Sequence, residues 1–256
     1  MLKSIQSKVG TIADGIFGPR TAKAICEALA PQNVDGDLTQ TVKNIQAFVG
    51  TTQDGIWGPK TEAAVAAKLG VSAPAVDPLV QKYIDKPVVI SNVDYKAEIV
   101  SQSAIRTNKS IYGRAGDESY LTNVPVPENY PLRYDGNRVK TVRVHKLVAD
   151  RMAAILQDTI NHYGEDIEKV APGLCVYDGS YYYRSTTNGS APSIHSWGLA
   201  IDMDAGNNSY STKKPRARLS QAIYEPFWKI VAAHGGASLG QKSDYDWMHY
   251  QFTTWG

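Results

Sequence analysis

The sequence predicts a two-part chain: an all-helical N-terminal part, then a larger part that mixes helices with short strands. Three observations carry this. Residues 1–70 hold an internal repeat whose units each open a short helix with Gly-Pro. Thr141–His162 places Val144, Leu147, Val148, Met152, Ile155, Leu156 and Ile160 at helical spacing. Leu199–Met203 and Trp247–Thr253 alternate apolar and polar residues, the pattern of strands with one buried face.

The repeat is read first. Ile5-Gln6 and Val9-Gly10 recur as Ile45-Gln46 and Val49-Gly50, and Asp14-Gly15-Ile16-Phe17-Gly18-Pro19 recurs as Asp54-Gly55-Ile56-Trp57-Gly58-Pro59, always 40 positions later. A fainter third copy begins at Asp35-Gly36, before a helical-looking stretch over Leu38–Phe48. Asp-Gly makes a tight turn because glycine tolerates positive φ. Ile with Phe, or Ile with Trp, then pins that turn to a core, and the next helix follows. Three or four short helices are expected. The Ala/Pro-rich stretch within 71–80 reads as a linker, leaving 81–256 as the second domain.

In the second domain, His145 falls in the first turn of the helix expected over Thr141–His162, as a capping or packing residue, and His162 in its last turn, where the helix dipole favours it. Two β-prone runs, Leu174–Tyr177 and Tyr181–Ser185, flank Asp178-Gly179 and suggest a hairpin. Ala217–Ala233 reads as a helix bent or interrupted at Pro226 and ended by His234-Gly235.

The composition narrows the function. The 256 residues are 43% hydrophobic with a net charge of +2, which suits a chain that buries a core and gives no broad attraction to nucleic acid. No apolar run is long enough for a transmembrane helix. Met1–Lys8 has no apolar signal-peptide core, so synthesis in a cytoplasm is expected. Cys26 and Cys175 are expected to be buried and reduced.

The chemistry concentrates in Ser193–Asp204 and Asp246–Phe252. His195, Asp202 and His249 supply three ligands for one divalent ion and leave a fourth position open, the pattern of a catalytic zinc. Zinc lowers the pKa of a bound water to ~7. Asp246, three residues before His249, is placed to accept that water's proton, and Arg184 to steady the developing oxyanion. Asp204 is a competing ligand and Asp244 an understudy for the base. A serine-hydrolase reading of Ser193 or Ser196 beside His195 is poorer, since no G-x-S-x-G elbow is present.

Two resemblances sharpen these expectations. The repeated D-G-I-[FW]-G-P-x-T of residues 1–70 resembles the peptidoglycan-binding domain family. The pattern Ser193-x-His195-x-x-Gly198-x-Ala200-x-Asp202, followed by Asp246-x-x-His249-Tyr250, resembles the VanY-like zinc peptidases related to D-alanyl-D-alanine carboxypeptidases, a group that includes phage endolysins. That resemblance covers roughly residues 110–256. It implies an α+β fold with helices against a small antiparallel sheet. It also implies His195, Asp202 and His249 as ligands of one zinc ion, Asp246 as the catalytic base, though many members carry Glu there, and Arg184 as a substrate contact. Ser193, and in the first domain Trp57, are further candidates for substrate binding. The expected function is a monomeric peptidoglycan hydrolase that acts on the cell wall after release from the host cytoplasm. A wall-trimming D-Ala-D-Ala carboxypeptidase and a non-catalytic wall-binding protein are the alternatives.

Overall fold

A computed structural model describes residues 1–29, 37–72, 76–95, 97–107, 111–187 and 189–255. The chain divides into two compact units, Met1–Val76 and Asp77–Gly256, each with its own apolar core.

The first unit contains α1 (Leu2–Lys8), α2 (Pro19–Leu29), α3 (Leu38–Val49) and α4 (Pro59–Lys68). Ile5, Ile25, Cys26, Ile45 and Val65 form its core. In each copy of the repeat, a buried glutamine knots the Asp-Gly turn to the next helix. Gln6 Nε2 donates to Asp14 Oδ1 (2.8 Å), the Ile16 carbonyl (3.0 Å) and Thr21 Oγ1 (3.1 Å), while Gln6 Oε1 accepts from Gly15 N–H (2.8 Å). Gln46 does the same for Asp54, Ile56, Thr61 and Gly55. Gly15 and Gly55 sit at φ +80° and +75°, as the turn reading requires. The pinning expected of the following residues is shared differently. Phe17 and Trp57 stack on each other across the two copies, with ring centroids 4.0 Å apart, and pack on the core. Ile16 and Ile56 are 70% and 67% exposed and pin nothing. The fainter repeat at Asp35-Gly36 and residues 73–75 of the linker lie outside the described residues.

The second unit is α+β. It begins earlier than the sequence suggested, because Asp77 caps α5 (Pro78–Asp85) by accepting from Leu79 N–H at 2.7 Å. Residues 77–80 are therefore part of this unit and not of a linker. The short α6 (Gln102–Arg106) follows. Strand β1 (Leu121–Pro125) pairs antiparallel with β4 (Thr141–His145), and β2 (Arg133–Tyr134) with β3 (Asn137–Arg138) around Asp135-Gly136. Helix α7 (Ala149–Tyr163) and the short α8 (Ile167–Val170) come next. A four-stranded antiparallel sheet runs in the order β5 (Tyr177–Gly179), β6 (Ala200–Met203), β8 (His249–Gln251), β7 (Ala237–Ser238). Helix α9 (Glu225–Ala233) precedes β7, and α10 (Leu239–Ser243) follows it.

Three expectations are corrected here. The helix read over Thr141–His162 starts only at Ala149. Thr141–His145 is a strand because its alternation buries Val142 and Val144 and exposes Thr141 and Arg143, while their β-branched side chains favour extended backbone. Asp178-Gly179 does not turn a hairpin; both lie within β5, which pairs with β6. Pro226 does not bend a helix. It occupies the first turn of α9, where its missing N–H costs nothing, and 3₁₀ turns at Arg218–Ser220 and Ala222–Tyr224 fill the preceding stretch.

One face of the sheet packs on helices. Ile201 and Tyr250, partners across β6 and β8, are buried with Met152 and Ile155 of α7 and Phe227 and Ile230 of α9. The opposite face of the same two strands carries the polar residues described next.

Candidate metal centre

Asp202 and His249 face each other directly: they are register partners on the antiparallel strands β6 and β8. Partner residues project on the same side of a sheet, so the pairing brings together two side chains 47 positions apart. His195 arrives from a 3₁₀ turn over Ile194–Trp197. Ser193 caps that turn, its Oγ accepting from His195 N–H at 3.4 Å. Gly198 ends it in the left-handed region at φ +68°, donating back to the His195 carbonyl. A Cβ at Gly198 would stand 2.8 Å from Leu121 Cδ2 and 3.0 Å from His145 N, so only glycine fits where the turn crosses β4.

Three donor atoms converge. His195 Nε2 lies 3.2 Å from His249 Nδ1, and the Asp202 carboxylate straddles the two rings, with Oδ2 3.2 Å from His195 Nε2 and Oδ1 2.9 Å from His249 Nδ1. A tetrahedral ion bound at 2.0–2.1 Å separates its donors by about 3.3 Å, close to the spacing of the two nitrogens, and one ligand atom from each residue lies within 4.8 Å of the others. The outer nitrogens are already committed. His195 Nδ1–H donates to the Ser180 carbonyl at 2.6 Å, and His249 Nε2–H donates to Gln251 Oε1 at 3.0 Å. Each ring therefore turns a lone pair inward, the arrangement by which a second layer of hydrogen bonds orients metal-binding histidines. That layer is anchored in turn: Ser180 Oγ donates to the Arg143 carbonyl at 2.6 Å, and Gln251 Nε2 donates to Thr253 Oγ1. The His195–Asp202–His249 group could hold a metal ion.

Protons compete for the same space. Burial alone would raise the Asp202 carboxyl, but hydrogen bonds from His195 and then His249 outweigh it and hold the group well below the usual carboxylate range. For His249, burial disfavours the charged ring, yet the hydrogen bond to Asp202 and its charge push the net shift upward. Acid therefore opposes a cation at this point.

A cleft of ≈ 400 Å³ opens over the three residues, and Asp246, Arg184 and Ser193 also line it. Asp246 sits in the left-handed region at φ +55°, is 8% exposed, and has no hydrogen-bond partner for Oδ1. Burial raises its carboxyl above the ordinary value; the positive charge of His249 opposes this and the negative charge of Asp202 adds to it. Arg184 is fixed through its backbone, accepting from Ser193 N–H at 2.9 Å and donating to Ser196 Oγ at 3.1 Å.

The remaining candidates are placed elsewhere. Asp204 is buried and turned to Asn207, Asn208 and Arg218, so it does not compete as a ligand. Asp244 Oδ1 accepts from Lys214 N–H and Trp247 Nε1–H, both at 2.9 Å, which makes it a fold residue and not a second base. The nitrogens of His195 face the Ser180 backbone carbonyl and Asp202, and neither bonds the hydroxyl of Ser193 or Ser196, so no Ser–His pair forms. His145 Nδ1 accepts from Leu147 N–H, the capping role expected, although from the end of a strand. His162 is buried and donates from Nε2 to the Tyr83 carbonyl, and His234 contacts Asp158 and Tyr95. Trp57, in the first unit, is half-buried against Phe17. Sequence reasoning missed Ser180 and Gln251. The only signal for Gln251 was its place two residues after His249 on an alternating strand, which faces both side chains the same way.

Among the described residues, no helix is long and apolar enough to cross a membrane. Set against protein-family models, curated proteins and solved structures, the chain finds no match.

Proposed function

We propose that the protein is a peptidoglycan hydrolase of the endolysin type, cleaving an amide bond of the stem peptide with the help of one zinc ion. The observation that carries this reading is the convergence of His195 Nε2, Asp202 and His249 Nδ1 beneath a cleft that also contains Asp246, a buried carboxylate whose Oδ1 has no hydrogen-bond partner. Two nitrogens and one oxygen suit zinc, which when bound supplies Lewis acidity and lowers the pKa of water to ~7. Asp246 accepts the proton of the attacking water and delivers it to the leaving amine. Its raised affinity for protons, caused by burial, suits both halves of that task. Arg184 lends positive charge to the oxygen of the cleaved carbonyl. Ser193 frames the substrate side of the cleft while its oxygen holds the His195 turn. The resemblance of the duplicated first unit to peptidoglycan-binding domains supplies the wall as its partner.

The test is incubation of the full chain with purified sacculi, followed by mass spectrometry of the released muropeptides. Loss of turbidity and new stem-peptide ends are expected, and both disappear with chelator or in His249→Ala. Free D-Ala from intact sacculi would identify a trimming carboxypeptidase instead. Equal release by wild type and His249→Ala would end the catalytic reading.

A further inference from the structure

Positive charge collects on one turn of the second unit. From Ala205 to Tyr224 the chain carries four cations, Lys213, Lys214, Arg216 and Arg218, and no acid, although the whole molecule has a net charge of only +2. Arg218 is spent on Asp204, 3.3 Å away. Lys213, Lys214 and Arg216 are exposed and, among the described residues, make no ion pair. Asp244 feels the charges of Lys214 and Lys213, but its Oδ1 is occupied by Lys214 N–H and Trp247 Nε1–H, and one acid does not balance three cations. The turn is firmly built. The Lys213 carbonyl accepts from Arg216 N–H (2.9 Å) and Ala217 N–H (3.0 Å), Asn208 Oδ1 accepts from Leu219 N–H at 2.8 Å, and Ala217 and Leu219 are fully buried. Lys214 Nζ lies 4.9 Å from the centre of the buried Trp247 ring.

Like charges held on one anchored turn repel each other, and such a surface attracts a polyanion. Its fixed backbone also lowers the ordering cost of binding one. Its position and composition select which. Tyr210, which leads into the turn, lines the cleft, and its carbonyl accepts from Asp246 N–H at 2.9 Å, so a ligand on the turn lies beside the substrate. Between Ser209 and Ser220 no large apolar side chain other than Tyr210 is exposed, so the turn offers no wedge to a bilayer. Tyr210 itself packs edge-on against Tyr245, which is not the open platform that stacks a base. We propose that Lys213, Lys214 and Arg216 form a docking surface for an anionic, phosphodiester-linked wall polymer running beside the peptidoglycan. This rests on the hydrolase reading above. The polymer is bound and not cut, and gives the catalytic unit a hold on the wall separate from that of the first unit.

The test titrates the full chain with purified poly(glycerol phosphate) at about 50 and about 200 mM salt. Three phosphates neutralised, each adding about 0.7 to the slope of log affinity on log salt, predict binding about 20-fold weaker at the higher salt. The triple variant Lys213→Gln, Lys214→Gln, Arg216→Gln should lose at least about tenfold in affinity at low salt, and most of the salt dependence with it. It should melt like wild type and hydrolyse sacculi stripped of phosphodiester polymer at the wild-type rate, since none of the three residues lines the cleft. An affinity that survives the triple substitution, or one indifferent to salt, would overturn the docking surface. Tighter binding to a single-stranded oligonucleotide, or to vesicles of anionic lipid, would overturn its assignment to the wall. No binding of the polymer, with stripped sacculi still hydrolysed, would end this proposal and leave the hydrolase reading standing. Polymer binding that the triple variant loses, with no wall preparation hydrolysed, would support the surface and end the hydrolase reading instead.

Discussion

Asp246 holds a buried carboxylate oxygen without a partner, and this has two consequences of opposite sign. Because its folded-state pKa is raised, the folded chain binds the proton more tightly than the unfolded chain. Stability contributed by that group is present at low pH and lost as pH rises through the raised value. Asp246→Asn is therefore expected to stabilise the protein at pH 7 by about 1 kcal/mol, because the neutral amide avoids the cost of burying a carboxylate charge, while abolishing the proposed hydrolysis. Thermal melts and sacculus assays on the same preparation check both. Hydrolysis by wild type should decline on the acid side at a pH above the ~4 of an ordinary carboxylate. Gln251 offers a separate test. Gln251→Leu removes the acceptor for His249 Nε2–H and should weaken metal binding by about 10–100-fold, read by competition with a chromophoric chelator. Gln251→Glu, which keeps an acceptor, should restore most of it. The three residues that converge were legible in the sequence because Ser193-x-His195-x-x-Gly198-x-Ala200-x-Asp202 is followed by Asp246-x-x-His249; the spacing of His195 and Asp202 alone is a weak pattern. Ser180 was not, since a backbone carbonyl leaves no trace in residue identity.

At the scale of elements, the turn ending at Gly198 does more than connect. It passes so close to β4 that Gly198→Ala brings a Cβ within 2.8 Å of Leu121 and forces a non-glycine residue to φ +68°. A loss of about 1–3 kcal/mol is expected, seen as a lowered melting temperature, together with weaker metal binding because His195 rides on that turn. The strands β6 and β8 were readable from alternation, and the duplicated helices from Asp-Gly and Gly-Pro. The stretch over Thr141–His162 was misread because Val144 satisfies a period of two with Val142 as well as it joins the helical series. Only the pairing with β1, a contact distant in sequence, decides between them. Asp178-Gly179 misled for a related reason: the dipeptide is a strong local turn signal, and pairing with β6 overrode it. The Asp135-Gly136 dipeptide, which passed unremarked, does join two strands, β2 and β3.

For the whole molecule, the two units carry one cysteine each, and both are buried and free. Burial raises the Cys26 thiol and pushes Cys175 up to about 12, so both are neutral and inert at pH 8. Labelling with a thiol reagent in rising denaturant should proceed in two steps, one per core, with mass spectrometry assigning each step to its cysteine. A single simultaneous step would show that the two cores unfold as one. The division into two units followed from composition and the repeat. Its position did not, because Asp77-Pro78 reads equally well as the end of a linker or the cap of a helix, and only the Leu79 amide shows which.

The register of β6 against β8 has one further consequence. A slip of a single residue would send His249 to the opposite side of the sheet from Asp202. A mispaired chain would then be unable to capture an ion, whatever its overall compactness. An ion bound by these three side chains would therefore favour the native threading over its neighbours: only chains with β6 and β8 correctly paired would present Asp202 and His249 to it together.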